Sequence, residues 1–186
     1  GTTSLSADGT NGINSNTLSA GLAGYSDTGG AADNQLETGQ FYYYGDGSGW
    51  GFVNQDETEP ERPGHAFDNQ GNIVDYDMAL ISFDTSVELT GVNFGYRSDG
   101  DFTLLAYTGA GSFTNSNLTG TTWADQANSG NWLTVGQYNP NVTDAYYSVN
   151  SGGTSSRYWL LGAYNSVFGA GGAGIYEHDD TFKLRK

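Results

Sequence analysis

Apolar positions along this chain recur with a period of two, in short runs broken by clusters of Gly, Asn, Asp and Ser. That is the pattern of half-buried strands joined by turns, and no segment carries a helical period. Residues 78–83 form an apolar run of strand length. Residues 87–94 alternate from Val87 through Leu89 and Val92 to Phe94, and Gly91 within them marks a candidate bulge. Residues 102–107 predict a third strand, and 132–138 and 145–149 two more. Residues 157–164 are apolar on both sides of the alternation, as in a central strand buried on both faces. A Gly-rich loop follows over 165–174, and 181–185 alternate as a closing strand. These segments predict an all-β fold, an antiparallel two-sheet β-sandwich of jelly-roll-like kind.

The pattern is uneven along the chain. Residues 1–40 are polar and rich in small side chains, and they read as an N-terminal arm or edge strand. Leu5, Ile13 and Leu18 stand out there as isolated apolar points, the candidate anchors of an arm that docks on a neighbour's sheet. Residues 41–186 read as the sandwich domain. Phe41-Tyr42-Tyr43-Tyr44 opens the aromatic part, and an acidic loop with Pro60 and Pro63 interrupts it.

Composition sharpens the picture. The aromatic fraction of 14% supplies enough buriable surface to form a core, although hydrophobic residues total only 36%. The 29 glycines show no three-residue period, which excludes a collagen helix. With 21 acidic against 6 basic residues, the net charge of −15 disfavours nucleic acid and anionic membrane surfaces as partners. No apolar run reaches membrane-helix length, so no membrane insertion is expected. With no cysteine, disulfides and thiolate chemistry are excluded. The opening Gly1-Thr2-Thr3-Ser4, without Met, reads as a processed or trimmed start.

An acidic chain of this kind suits hard cations bound through oxygen. Three clusters are candidates for a structural calcium: Asp68 and Asn69 with Asn72, Asp75 and Asp77 downstream, Asp99 with Asp101, and Asp179 with Asp180 beside Glu177. None has EF-hand spacing, and each also reads as turn-capping Asp and Asn. Trp50, Trp123 and Trp132 sit among glycines and polar residues and are candidates for a carbohydrate-binding face, whereas Trp159 reads as core. No G-x-S-x-G elbow and no HExxH helix is present. His65 and His178 lie in acidic contexts that favour structural roles. No catalytic residue is assigned, and the chain is expected not to be an enzyme.

A series of short motifs, in order, resembles the exosortase-dependent surface proteins of the PEP-CTERM class. It runs from Gly49-Trp50-Gly51-Phe52-Val53-Asn54 to Pro63-Gly64-His65-Ala66-Phe67-Asp68-Asn69, Leu80-Ile81-Ser82-Phe83 and Val87-Glu88-Leu89. It continues through Ser98-Asp99-Gly100-Asp101-Phe102-Thr103-Leu104-Leu105-Ala106-Tyr107-Thr108-Gly109 and Ser155-Ser156-Arg157-Tyr158-Trp159-Leu160-Leu161-Gly162-Ala163-Tyr164-Asn165, and closes with Asp180-Thr181-Phe182-Lys183-Leu184. The resemblance covers about residues 42–184 and lacks the family's secretion signal and sorting tail. It implies a place outside a bacterial cell, extracellular or on the outer surface, in organisms that make extracellular polysaccharide. The expected function is a secreted surface or extracellular-matrix structural protein of a biofilm, a candidate filament subunit forming a homopolymer. The alternative is a calcium-dependent module that binds exopolysaccharide.

Overall fold

A computed structural model of the chain describes residues 18–28, 34–57, 65–70 and 74–185. Among these residues eleven strands join in one antiparallel sheet that curls into a half-barrel. In chain order they are β1 (Ala20–Ser26), β2 (Glu37–Tyr43), β3 (Trp50–Val53), β4 (Phe67–Asp68), β5 (Met78–Glu88) and β6 (Gly91–Arg97). They continue with β7 (Phe102–Tyr107), β8 (Trp132–Tyr138), β9 (Tyr146–Ser148), β10 (Ser155–Ala163) and β11 (Thr181–Leu184). Laid side by side they run β8-β7-β10-β5-β1-β2-β3-β11-β6-β9, with β4 beside β11. Strand β2 pairs with β1 on one side and β3 on the other, and so joins a first arm, β8 to β1, to a second arm, β3 to β9.

The period of two explains the packing. Along β7, Phe102, Leu104 and Ala106 point into one apolar cluster and Leu105 into another; β10 divides Trp159 and Leu161 from Leu160 in the same way. The first cluster fills the inside of the curl, because both arms supply it: Leu104, Trp159 and Leu161 from the first, Phe52, Phe94 and Phe182 from the second. Phe67, on β4, stacks on Phe52 and Phe182 there, with ring centroids 5.8 and 5.6 Å away. The second cluster lies on the other face of the first arm, under a cover of loops and one short helix, α1 (Trp123–Asn128). Strand β10 therefore has apolar packing on both faces and a strand on either side, as its composition predicts.

Three expectations are corrected. The run 87–94 is not one bulged strand: β5 ends at Glu88, paired with Ser155, and β6 begins at Gly91, paired with Ser148. Leu89 and Thr90 carry the chain from one arm to the other, and Leu89 keeps the alternation going because it packs on the core as it crosses. Within residues 1–40, the described strand β1 also differs from an arm or edge. Strand β1 is no edge but sits between β5 and β2, despite a sequence of small residues. The reason is close packing: Gly24 and Gly39 are paired across β1 and β2, and the Phe52 ring occupies the space where a Cβ at either would project. Finally, α1 is a helix of one and a half turns, too short to show a period. It is set by a capping box in which Thr122 Oγ1 accepts from Asp125 N–H and the Asp125 carboxylate accepts from Thr122 N–H.

Candidate metal centre

Two of the three acidic clusters of the sequence meet in space. Asp99 and Asp101 lie on the turn between β6 and β7, and Asp180 directly precedes β11. Each offers a carboxylate oxygen, and the three oxygens lie within 4.8 Å of one another. Backbone bonds hold the turn against the strand: Thr181 N–H donates to Asp99 O at 2.9 Å, and Ser98 N–H to Thr181 O at 2.9 Å. Asp99 folds back on its own turn, accepting from Gly100 N–H at 2.6 Å.

Asp101 is 1% exposed and Asp180 is fully buried. One oxygen of each is anchored. Asp101 Oδ2 accepts from Tyr176 N–H at 3.0 Å. Asp180 Oδ2 accepts from Asn69 Nδ2 at 2.6 Å and from Tyr164 N–H at 3.2 Å. Asn69 Oδ1 in turn accepts from Asp180 N–H at 3.0 Å, which fixes the backbone as well. The other oxygen of each, Asp101 Oδ1 and Asp180 Oδ1, is buried and has no hydrogen-bond partner. Burial pushes the Asp180 carboxyl up to about 9, with the Asp101 charge adding to it. Burial also takes Asp101 up to about 6, against the pull of the Tyr176 N–H.

This donor set fits a hard divalent cation. A buried unpaired carboxylate oxygen carries a penalty of several kcal/mol, which a cation would remove by taking both free oxygens. An all-oxygen set without His or Cys suits calcium or magnesium rather than zinc. The bonds to Oδ2 of Asp101 and Asp180 hold both carboxylates in place, as partners behind metal ligands do.

The other candidate residues fall elsewhere, and Asn72 lies outside the described residues. Asp179 is exposed, and its carbonyl accepts from Gln70 Nε2 at 2.5 Å. Asp68 and Asp77 belong to a separate buried carboxylate group with Asp75 and Glu57 around them. Both Asp77 oxygens have donors there, Asn54 Nδ2 at 3.4 Å and Asp68 N–H at 3.2 Å, so Asp77 is not short of partners. Asn69 connects with the metal centre as a positioning residue for Asp180, not as one of the three clustered carboxylates. Sequence inspection did not single out Tyr164 or Tyr176, whose contribution is a backbone N–H that any residue but proline would supply.

The tryptophan face is corrected. Trp123 is 3% exposed and Trp132 9%, both in the outer apolar cluster. Their indole N–H groups donate inward, to Tyr76 O and to Gln126 Oε1, at 3.0 Å each. The glycines around them in sequence belong to turns and do not make an open platform. Trp50 is partly exposed, packed against Tyr43 with ring centroids 4.9 Å apart. His65 is buried and stacks on Tyr42 and Tyr44, at 5.5 and 6.2 Å between centroids. Of the arm anchors, Leu5 and Ile13 lie outside the described residues, and Leu18 lies at the rim of an apolar recess. No helix among the described residues is long and apolar enough to cross a membrane.

Comparison with protein-family models, with curated proteins and with solved structures gave no match for this chain.

Proposed function

We propose that this protein is a non-enzymatic structural component of a bacterial cell surface or extracellular matrix, whose half-barrel is fastened by a calcium ion at Asp99, Asp101 and Asp180. The observation that carries the calcium reading is the meeting of the Asp99, Asp101 and Asp180 carboxylates within 4.8 Å, two of which have a buried oxygen without a hydrogen-bond partner. The extracellular reading is supported by the resemblance to exosortase-dependent proteins and by the strong negative charge. Extracellular calcium modules work at about 10⁻⁴–10⁻³ M calcium, where a site needs only a few carboxylates. In finer terms, we read the curl as a jelly-roll-like sandwich left open along one seam, its two arms facing each other over the inner cluster.

The test is a thermal melt of chelated protein before and after calcium is restored. Binding stabilises by mass action, by about 2.7 kcal/mol at 100 times Kd. The Asp101→Asn and Asp180→Asn variants should lose that response, together with terbium luminescence sensitised by nearby tyrosines. An unchanged melt on readdition of calcium would reject the ion. Recovery of the mature protein from the cytosol alone would reject the surface role. Exopolysaccharide binding is the weaker alternative, since two of its three tryptophans are buried. Retention of the protein on the producing organism's polymer would restore it.

A further inference from the structure

Strands β1 and β2 diverge partway along. They pair as far as Gly24 and Gly39, after which β2 turns to β3, with Gln40 opposite Val53 and Phe41 opposite Phe52. Residues 20–23 of β1 keep β5 as their neighbour. Between the diverging strands lies a groove of about 470 Å³, within the range of about 300–1,000 Å³ that ligand sites occupy. Gly24 and Gly39 present bare backbone at its head. Phe41 and Trp50 supply aromatic surface, and Thr38, Gln40 and Asn115 supply polar side chains. These last three residues are exposed. Gln40 Oε1 accepts a long bond, 3.5 Å, from Tyr42 O–H. Among the described residues, none that lines the groove is charged.

We infer that this groove binds an uncharged oligosaccharide, through the amides of Gln40 and Asn115 and the hydroxyl of Thr38, with Trp50 beside the sugar. Amides and hydroxyls both donate and accept, as a sugar's own hydroxyls require of their partners. The aromatic surface of Phe41 and Trp50 suits the apolar C–H face of a sugar ring. Charge selects the ligand further. An uncharged lining offers no counter-charge to an acidic or basic ligand, and the net charge of −15 repels anionic polymers. The inference rests on the carbohydrate alternative for its ligand class, but not on the ion, since Asp99, Asp101 and Asp180 do not line the groove.

Of the four tryptophans Trp50 alone is partly exposed, since Trp123, Trp132 and Trp159 are buried. Acrylamide quenching of tryptophan fluorescence in the full chain therefore reads the groove. At least one of cellohexaose, maltohexaose and mannohexaose should protect Trp50, in chelator as in calcium, and an acidic oligogalacturonate should not. Gln40→Ala with Asn115→Ala, both at exposed positions, should weaken that protection by about tenfold or more through the lost hydrogen bonds. Quenching unmoved by all three neutral oligomers would overturn the inference. So would protection that needs calcium, that the acidic oligomer matches, or that the double substitution leaves intact. Protection by an extended uncharged peptide and by no sugar would overturn it in favour of strand addition. A melt without calcium response beside intact sugar protection would sink the ion and leave the groove, and the converse pair of results would do the opposite.

Discussion

Asn69 and Asp180 hold each other by two hydrogen bonds, the amide nitrogen of one to the carboxylate of the other and the backbone N–H back to the amide oxygen. Asn69 also donates to Tyr164 O at 2.9 Å. A single buried amide thus ties the chain after β4 to the start of β11 and the end of β10, while aiming an acidic side chain.

Asn69→Ala removes these bonds and leaves the Asp180 N–H without its acceptor. Bonds to charged groups contribute about 1.5–3 kcal/mol each and a stranded buried donor adds to the loss. We expect destabilisation of about 3 kcal/mol in urea unfolding, together with weaker calcium stabilisation. A variant with unaltered stability would show that Asn69 does not position Asp180.

The carboxylate group around Asp77, together with Asp101 and Asp180, sets the pH dependence of the metal-free protein. Burial pushes Asp68 and Asp75 up to about 7, and it raises Asp77 well above the carboxylate range. An acid whose folded value lies above its unfolded one binds its proton more tightly when folded. These groups therefore destabilise the fold above about pH 7, and the penalty fades as pH falls toward the ordinary value of 3.8. In chelator, the urea midpoint should rise between pH 8 and pH 5. Asp75 has a buried oxygen without a partner, so Asp75→Asn should stabilise the protein at pH 8 and make the profile less steep. A midpoint that falls over the same interval would contradict this account.

Gly24 and Gly39 leave room for one ring, that of Phe52, in the join between the arms. Gly24→Ala should cost about 3 kcal/mol or more, because the obstructing ring is fully buried and cannot swing away. Phe52→Leu should recover part of the loss in a double-mutant cycle. Additive effects of the two substitutions would mean that the ring is not the obstacle.

Much of the strand pattern was legible because side-chain alternation is local. Residues 102–107 and 132–138 match β7 and β8, and the doubly apolar run after Arg157 identified the buried interior of β10. What local pattern does not contain is which strands share a face or an end. Asp101 and Asp180 are 79 positions apart in numbering and meet only because β7 and β11 come from opposite arms. The tryptophans were misplaced for a related reason: polar neighbours in sequence do not report on what a ring touches across the fold. Strand β1 was missed because its glycines serve the Phe52 ring, a partner from β3.

The position of Asp180 has a mechanical consequence. Strand β11 has four residues and lies between β6 on one side and β3 and β4 on the other, with Asp180 immediately before it. Tension applied beyond Leu184 would load that short ladder first. An ion shared with Asp99 and Asp101 would pass the load into the turn before β7, so resistance to pulling would rise and fall with the calcium of the surroundings.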